Sequence, residues 1–396
     1  MRILYLTLEN ISLHKGSVVH IKEVIAGLKR LGHYVTLIAF SSSNFKEVDQ
    51  FHNLSHFNFL WNRILKMKRQ PYLISSMVLF GLLWKNLFKY DVIYARDYHT
   101  VILALIPRLI FKKRLVFEIN GLANEEQMLK ANSLFNRILS SLIRKAERLA
   151  TKYSDRIVSV TPQIASYVVH HFCCPAQKIE IISNGVNTKV FHPIQDEPLL
   201  LDLKQKLGIK KEEMVIAFVG NLAPWQGVDI FIESALKLLP NEKRLKFLIV
   251  GDGLLMNSLM KKALDSGYGE IFIFAGMVSY GETPSLINIS DVCVAPFISK
   301  RNRKTGVSPL KIFEYMACGK PVVASRVEGL EFIENEGVGR LVVPEDPIML
   351  GKTLVDLLEH PKERIEMGQR GRQLVLKQFA WDSKVMKIET LLRNLE

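Results

Sequence analysis

The chain can be interpreted around the stretch Arg303–Val323, which reads R-K-T-G-V-S-P-L-K-I-F-E-Y-M-A-C-G-K-P-V-V. Ser308 and Pro309 are typical of the cap and first turn of a helix, and Gly319 is typical of its end. One face of this helix is apolar and carries Leu310, Phe313 and Ala317. The stretch therefore predicts a short amphipathic helix that begins directly after a loop.

The polar face of this helix carries Lys311 and Glu314, which lie three residues apart and project from one side. The preceding loop is basic and contains Lys300, Arg301, Arg303 and Lys304. Free N–H groups and the positive dipole end of a helix bind phosphate, and a carboxylate accepts hydrogen bonds from sugar hydroxyls. The alternative is an ordinary surface pair between Lys311 and Glu314 at i, i+3 spacing.

This segment resembles the donor-site motif of family-4 glycosyltransferases, which are retaining enzymes with the two-domain GT-B fold. The resemblance implies that Glu314 holds the ribose of a nucleotide. The usual family pattern has another glutamate eight positions earlier, where this sequence has Gly306. The sequence instead matches, nearly whole, a branch with the string S-P-L-K-x-F-E-Y-M-A-x-G-x-P-V-V, at 308–323.

Length and composition indicate a folded protein of more than one domain. The chain has 396 residues, of which 48% are hydrophobic and 23% charged. Its four cysteines form no disulfide framework and no C-x-x-C metal spacing, which is typical of a reducing cytosol. The first ten residues predict a strand and not a signal peptide.

The positive charge is concentrated in the first half. Residues 1–190 contain 26 Lys and Arg against 12 Asp and Glu, whereas residues 191–396 contain 27 against 27, so the whole excess of 14 lies before residue 191. Such a half favours an acidic partner, namely a phospholipid surface, a lipid-diphosphate acceptor or nucleic acid. Nucleic acid is disfavoured because no binding module is recognisable.

Cations alternate with large apolar residues between Trp61 and Lys89, a mixture that favours a membrane interface. The alternative is a pair of core helices with solvated basic faces. Residues 71–84 are apolar but shorter than the roughly 20 residues of a spanning helix. We therefore expect a cytoplasmic protein, peripheral on the inner face of a membrane.

Apolar segments alternate with amphipathic helices along the whole chain, which predicts parallel sheets covered on both faces. The predicted strands are Arg2–Leu8, Tyr34–Phe40, Asp91–Ala95, Arg114–Ile119, Arg156–Val160, Met214–Val219, Leu245–Val250, Ile271–Phe274 and Val292–Ala295. The predicted fold is α/β, of the GT-B type with two doubly wound Rossmann-like domains. They are expected at 1–190 for the acceptor and 191–375 for the donor, and a helix in 376–396 is expected to pack back on the first.

Loops at the carboxyl edge of the first sheet supply candidate site residues, because ligands bind at that edge. Gly16 and Ser17 follow the first strand and allow close backbone approach to a phosphate or sugar. Asn120 stands where the resembled family commonly has a histidine beside the transferred sugar, and asparagine cannot act as a base near neutral pH. The acceptor-side candidates are Arg96, Asp97, His99, Glu118 and Glu126.

In the second half the resemblance predicts a donor site that has lost two charges. The family commonly clamps the diphosphate with an Arg and a Lys, where this chain has Asn221 and Gln226. We expect Lys311, the basic loop and the amides of 308–310 to replace them. The predicted donor-binding residues are Gly16, Ser17, Asn221, Gln226, Gly251, Gly253, Val278, Ser308, Pro309, Leu310, Lys311 and Glu314, and Glu314, Lys311 and Asn120 are the catalytic candidates.

The resemblance implies a retaining hexosyltransferase that uses a UDP- or GDP-sugar and needs neither a metal nor a cofactor. The expected acceptor is a membrane-associated glycolipid or a surface polysaccharide. Two alternatives remain open. One is a nucleotide-sugar epimerase or hydrolase on the same fold, and the other is an inactive nucleotide-sugar-binding protein, which the residues Gly306, Asn120, Asn221 and Gln226 suggest.

Overall fold

The computed structural model describes residues 1–13, 15–42, 45–54, 71–128, 133–238, 244–299, 302 and 305–395. The chain forms two compact units, one of Met1–Ser183 with Trp381–Glu396 and one of Asn184–Ala380. The domain boundaries predicted from the sequence, at 190 and 375, therefore lie within seven residues of those between the two units.

The first unit contains a sheet of seven parallel strands in the order β3-β2-β1-β4-β5-β6-β7. Its strands are β1 (Arg2–Asn10), β2 (Tyr34–Phe40), β3 (Gln50–Asn53), β4 (Val92–Ala95), β5 (Arg114–Ile119), β6 (Arg156–Ser159) and β7 (Ile179–Ile181). Its helices are α1 (Gly16–Arg30), α2 (Pro71–Asn86), α3 (Tyr98–Phe111), α4 (Ala123–Met128), α5 (Leu134–Tyr153) and α6 (Pro162–Phe172).

The second unit contains a sheet of six parallel strands in the order β10-β9-β8-β11-β12-β13. Its strands are β8 (Met214–Val219), β9 (Leu245–Val250), β10 (Phe272–Gly276), β11 (Val292–Ala295), β12 (Val322–Ser325) and β13 (Gly339–Val342). Its helices are α7 (Glu197–Lys206), α8 (Val228–Leu238), α9 (Met256–Asp265), α10 (Thr283–Asn288), α11 (Leu310–Ala317), α12 (Phe332–Asn335), α13 (Pro347–Glu359) and α14 (Pro361–Leu374).

Both sheets are buried because helices cover both of their faces. The strands β8 and β11 are almost entirely apolar, as the sequence V-I-A-F-V at 215–219 shows, and these residues are buried. Side chains on the two sides of the second sheet belong to two separate apolar clusters. The strands predicted from the sequence are confirmed, with ends that differ by one or two residues.

The last helix, α15 (Trp381–Arg393), belongs to the first unit. It packs on α1 at Gly27, where an added Cβ would lie 2.5 Å from Val385. Its first residue, Trp381, meets His20 of α1 edge to face, with ring centroids 5.0 Å apart. The C-terminal segment therefore braces the first helix of the chain.

The stretch predicted to lie at a membrane interface is described only in part, since residues 55–70 lie outside the described residues. Within α2, Leu79 and Leu83 are buried in the core. Trp84 and Phe88 are 37% and 76% exposed. None of the described helices is both long enough and apolar enough to cross a bilayer.

Candidate active site

Helix α11 begins one residue later than the sequence predicts. Pro309 is its N-cap and makes no side-chain cap bond. The prediction that Ser308 caps this helix is wrong, because the Ser308 hydroxyl accepts a hydrogen bond of 2.9 Å from the Asn184 N–H. The Asn184 side chain also donates to the Ser308 carbonyl at 2.6 Å. These two hydrogen bonds fix the loop that leads into α11.

Tyr315 holds α11 against the carboxyl ends of β8 and β11. Its side chain is fully buried, and its hydroxyl accepts a hydrogen bond of 2.8 Å from the Val219 N–H. The same hydroxyl lies 3.2 Å from the Val219 carbonyl and 3.4 Å from that of Val294. No local sequence pattern indicates this role of Tyr315, since its partners lie far away in the chain.

Arg372 of α14 is a second positioning residue that the sequence analysis missed. Its guanidinium donates to the Ala317 carbonyl at 2.9 Å, at the C-terminal end of α11, and to the Phe191 carbonyl at 2.8 Å. A cation at this end complements the helix dipole. Together with Tyr315, it fixes α11 at both sides.

The Lys311 amine lies between the ends of β8 and β11. It donates a hydrogen bond of 2.7 Å to the side-chain oxygen of Gln226 and lies 3.9 Å from the ring centroid of Phe218 and 5.4 Å from that of Phe297. Gly220 leaves room for it, because a Cβ there would lie 2.8 Å from the amine. Gln226, which stands where the resembled family has a clamping lysine, therefore orients Lys311.

Lys311 and Glu314 do not form the surface pair that was the alternative interpretation. Within the described part of the chain, the Lys311 amine has no carboxylate at ion-pair distance, and its partners are an amide and aromatic rings. Burial lowers the pKa of Lys311 to about 7, although the field of Glu314 acts in the other direction. Burial likewise raises the pKa of Glu314 to about 7, against the effect of Lys311.

This arrangement lies where an open α/β sheet binds ligands. The strands β8 and β11 are neighbours in the sheet, and the strand order reverses between them. Ligands of doubly wound folds bind outside the carboxyl ends of the strands at this switch point. A lysine held there without an anionic partner can bind a phosphate group, and an acid on the next turn can accept from hydroxyls.

The remaining predicted donor residues border the same edge. Asn221 is exposed directly after β8. The loop that contains Gly251 and Gly253 is bonded on both sides, because the Leu222 N–H donates to the Asp252 carbonyl at 3.0 Å and the Gly251 N–H donates to the Gly276 carbonyl, at the end of β10, at 2.7 Å. Val278, Pro309 and Leu310 are half-buried.

The loop before α11 contains Gly306, where the family's first glutamate is missing, and the basic residues predicted to bind the diphosphate. Gly306 has a left-handed backbone with φ of 60°, a conformation in which a glutamate would be strained. Lys300, Arg301, Arg303 and Lys304 lie outside the described residues. Of the cationic side chains predicted for the clamp, Lys311 is therefore the one that belongs to the described residues.

Glu118 organises the carboxyl edge of the first sheet. It is fully buried and accepts hydrogen bonds from the Tyr94 hydroxyl at 2.6 Å, the Arg96 guanidinium at 3.1 Å and the Asn120 amide at 2.6 Å. His20 approaches it to 2.9 Å. Burial would raise the pKa of Glu118, but His20, Arg96 and the Tyr94 hydroxyl outweigh burial and hold it below its usual range.

The acceptor-side candidates fall into different environments. Arg96 and Glu118 are buried against each other, and Glu118 also accepts a hydrogen bond from the Asn120 amide. Asp97 caps α3 and accepts from the Thr100 N–H at 2.9 Å. His99 is half-exposed beside it, with 3.8 Å between the ring nitrogen and the Asp97 carboxylate.

The loop that follows β1 lies at the carboxyl edge of the first sheet. Gly16 and Ser17 form the first turn of α1, whose N-cap residue Lys15 makes no side-chain cap bond. The side chain of Glu126, on α4, lies outside the described residues. Over the described ranges, no three His, Cys, Asp or Glu side chains are grouped so that they could hold a metal ion.

Each half of the chain matches a family of known proteins. The model for Glycosyltransferase Family 4 matches residues 14–190, and that for Glycosyl transferases group 1 matches residues 201–374. An uncharacterized glycosyltransferase of Methanocaldococcus jannaschii is 26% identical over 377 residues, which cover 93% of this chain and 91% of that protein.

Two further similar proteins have more specific descriptions. The UDP-Gal:alpha-D-GlcNAc-diphosphoundecaprenol alpha-1,3-galactosyltransferase of Escherichia coli is 28% identical over 323 residues, which cover 80% of this chain and 78% of that enzyme. The structure of HepE from Anabaena in complex with UDP-glucose superposes with a TM-score of 0.78 at 18% identity and covers 100% of both chains. The predicted fold class, GT-B with two doubly wound domains, is confirmed.

Proposed function

We propose that this chain, a glycosyltransferase of the GT-B type, transfers a hexose from a UDP- or GDP-sugar to a membrane-associated glycolipid or surface-polysaccharide acceptor and retains the anomeric configuration. The observation that carries the proposal is the placement of Lys311. Its amine lies at the switch point of the second sheet, and its partners among the described residues are a neutral amide and aromatic rings.

The donor diphosphate would bind at this amine and at the first turn of α11. Helix N-termini leave their first N–H groups without intrahelical partners, so they complement phosphate oxygens. A diphosphate would supply the counter-charge that Lys311 lacks, and charge-assisted hydrogen bonds of this kind are about twice as strong as neutral ones. Glu314, one turn further along, would accept from the ribose hydroxyls.

The chemistry proposed for the transfer is front-face attack, in which the leaving phosphate takes the proton of the acceptor hydroxyl. That route needs no separate general base, and Asn120, at the position of the family's histidine, cannot serve as one. Glu118 would hold the Asn120 amide in place through their 2.6 Å hydrogen bond. The proposal includes no metal ion, and full activity in the presence of EDTA would test that part of it.

The proposed acceptor rests on charge and on similarity. The excess of 14 positive charges lies in residues 1–190, which favours a lipid diphosphate or an anionic membrane there. The Escherichia coli relative is described as acting on a diphosphoundecaprenol-linked sugar. We therefore place the protein in the cytoplasm, at the inner face of a membrane.

Transfer is tested by incubating the protein with radiolabelled UDP- and GDP-sugars and membrane extract. Label in the lipid or polysaccharide fraction supports the transferase. Release of free labelled sugar without an acceptor, or conversion of the sugar within the nucleotide, supports the hydrolase or epimerase. Binding without any turnover supports the inactive binding protein. A Lys311→Met variant serves as the matched negative control.

The affinity for UDP-glucose is expected to be highest near pH 7. Below that pH Glu314 is largely protonated and must release a proton to accept from the ribose, because its pKa is raised to about 7. Above it Lys311 is largely neutral and must take up a proton to meet the diphosphate, because its pKa is lowered to about 7. Affinity should then fall by up to about tenfold per pH unit on either side.

Calorimetry in buffers of different ionisation enthalpy measures this proton exchange directly. UDP-glucose is the better probe because the terminal phosphate of UDP titrates near pH 6 itself. Lys311→Met should abolish the uptake at pH 8, and Glu314→Gln should abolish the release at pH 6. Equal affinity for UDP-glucose at pH 6, 7 and 8 would contradict the roles assigned to Lys311 and Glu314.

A further inference from the structure

The outward face of α5 carries a stripe of large apolar side chains. They follow the helical spacing of three, four and seven residues that places side chains on one face. The exposed fractions are 72% for Phe135, 54% for Ile138, 56% for Leu142, 45% for Leu149 and 37% for Tyr153. Scattered exposed apolar residues are normal, but a contiguous set of this kind marks an interaction surface.

A stripe of cations runs beside these apolar residues on the same helix. It comprises the exposed residues Arg137, Arg144, Lys145, Arg148 and Lys152. The one acidic residue in the sequence of α5, Glu147, is 4% exposed and faces inward. The outward half of α5 is therefore divided into an apolar band and a purely basic band.

The inward half of α5 is attached through small and polar residues. Its buried side chains are Ser140, Glu147, Ala150 and Thr151. The Glu147 carboxylate accepts from the Ala123 N–H at 2.8 Å, and the Ser140 hydroxyl donates to the Asn124 carbonyl at 3.0 Å. Polar bonds thus fix the inner side of the helix while its largest apolar groups point to solvent.

Helix α3 packs against α5 and adds to the exposed apolar surface. Ile106, Leu109 and Ile110 are 44%, 59% and 61% exposed. Phe88 is 76% exposed and lies 5.3 Å from Phe111 at the end of α3. The first unit therefore exposes large apolar side chains on α3 as well as on α5.

We infer that the outward face of α5 docks on an anionic lipid bilayer, with the apolar band in the headgroup region and the basic band against acidic headgroups. This inference rests on the proposed function and assigns its membrane contact to the outward face of α5. Apolar groups beside Lys and Arg on one helix face are the features of helices that lie in a membrane interface. A second copy of the chain fits less well, because it would bring an equally basic surface to this one.

Vesicle sedimentation tests the inference with the full-length protein. Vesicles of phosphatidylglycerol and phosphatidylcholine are compared with vesicles of phosphatidylcholine alone. The wild type should bind the anionic vesicles and lose most of that binding at high salt. A variant with Arg137→Gln, Arg144→Gln and Arg148→Gln should bind about a hundredfold more weakly, since each cation near the surface contributes about fivefold.

The matched charge control is Lys210→Gln with Lys211→Gln and Lys261→Gln. It also removes three positive charges, but from exposed positions of the second unit, and it should bind like the wild type. A second variant, with Phe135→Ser, Leu142→Ser and Leu149→Ser, should also lose binding, by at least about tenfold. Its control changes Leu254, Leu264 and Ile365 to Ser, at positions that are 85%, 73% and 60% exposed.

Equal losses in the α5 variants and their controls would overturn the inference, because they would show a general charge or solubility effect. A dimer in analytical ultracentrifugation that dissociates in the α5 variants, without lipid binding in the wild type, would assign the surface to a second copy instead. The measurement needs neither donor nor acceptor. Its failure would leave UDP-glucose binding and sugar transfer, which are measured separately, unaffected.

Discussion

A Lys311→Met variant is expected to bind UDP-glucose about a hundredfold more weakly than the wild type, a loss of about 3 kcal/mol. Methionine keeps an unbranched apolar stem beside Phe218 but removes the charge. In the wild type the amine contacts the Gln226 amide and two aromatic rings, so its charge is left for the diphosphate. Calorimetric titration at pH 7 measures the difference.

Uridine is the matched control ligand because it lacks the diphosphate. The wild type and Lys311→Met should bind it equally well, since Lys311 is assigned to the phosphates and not to the nucleoside. Lys261→Met, at an exposed position of the same unit, is the matched control variant and should bind UDP-glucose normally. If Lys311→Met bound UDP-glucose as tightly as the wild type, the position of Lys311 would no longer support the proposed function.

The parts of this site that are local in sequence could be predicted from it. The helix 310–317 follows from its apolar face and from Gly319 at its end, and the structure places it within one residue of the prediction. Nine of the strands could be predicted because strands buried on both faces are continuous apolar runs. Strands with mixed composition, such as Gln50–Asn53 and Gly339–Val342, were missed because they lack this signal.

The contacts that give the site its chemistry could not be predicted from local patterns. Gln226 and Lys311 are 85 residues apart, and His20 and Glu118 belong to α1 and β5. Periodicity reports which face of an element is apolar, but not which distant side chain lies against it. For the same reason Gln226 appeared only as a lost charge, whereas the structure shows it orienting Lys311.

Helix α5 illustrates the same principle on the surface. The sequence predicts amphipathic helices between its strands, and α5 is one of them. An apolar stripe in a sequence is usually assigned to the core, yet here Phe135 and Leu142 face solvent while Glu147 is buried. Only the tertiary structure decides which side of an amphipathic helix is covered.

Replacing Glu118 by alanine is expected to destabilise the first unit by about 3–5 kcal/mol, because it leaves a buried guanidinium without its anion. Glu118 is fully buried and Arg96 is 8% exposed, so water cannot replace the lost carboxylate. The Tyr94 hydroxyl and the Asn120 amide lose an acceptor as well. Hydrogen–deuterium exchange of the strands β4 and β5 measures the loss, and the second sheet is the internal control.

A partly exposed pair in the same unit provides the matched control. Asp382 bonds to Arg30 at 2.7 Å with 65% of its side chain exposed, so Asp382→Ala should cost at most about 1 kcal/mol. Adding Arg96→Met to Glu118→Met should recover part of the stability, because no unpaired charge is then buried. If Glu118→Ala cost no more than Asp382→Ala, Glu118 would not be what organises this edge of the sheet.

The pH dependence separates the charge of Glu118 from its shape. Because its pKa in the folded protein is held below the usual range, Glu118 contributes stability that is fully present above the unfolded value of about 4.3 and is lost as pH falls toward the folded value. Glu118→Gln, which cannot ionise, lacks that contribution. The difference in unfolding free energy between wild type and Glu118→Gln should therefore shrink as the pH falls below about 4. A difference that stays constant down to pH 3 would indicate that the side chain acts through packing and not through its charge.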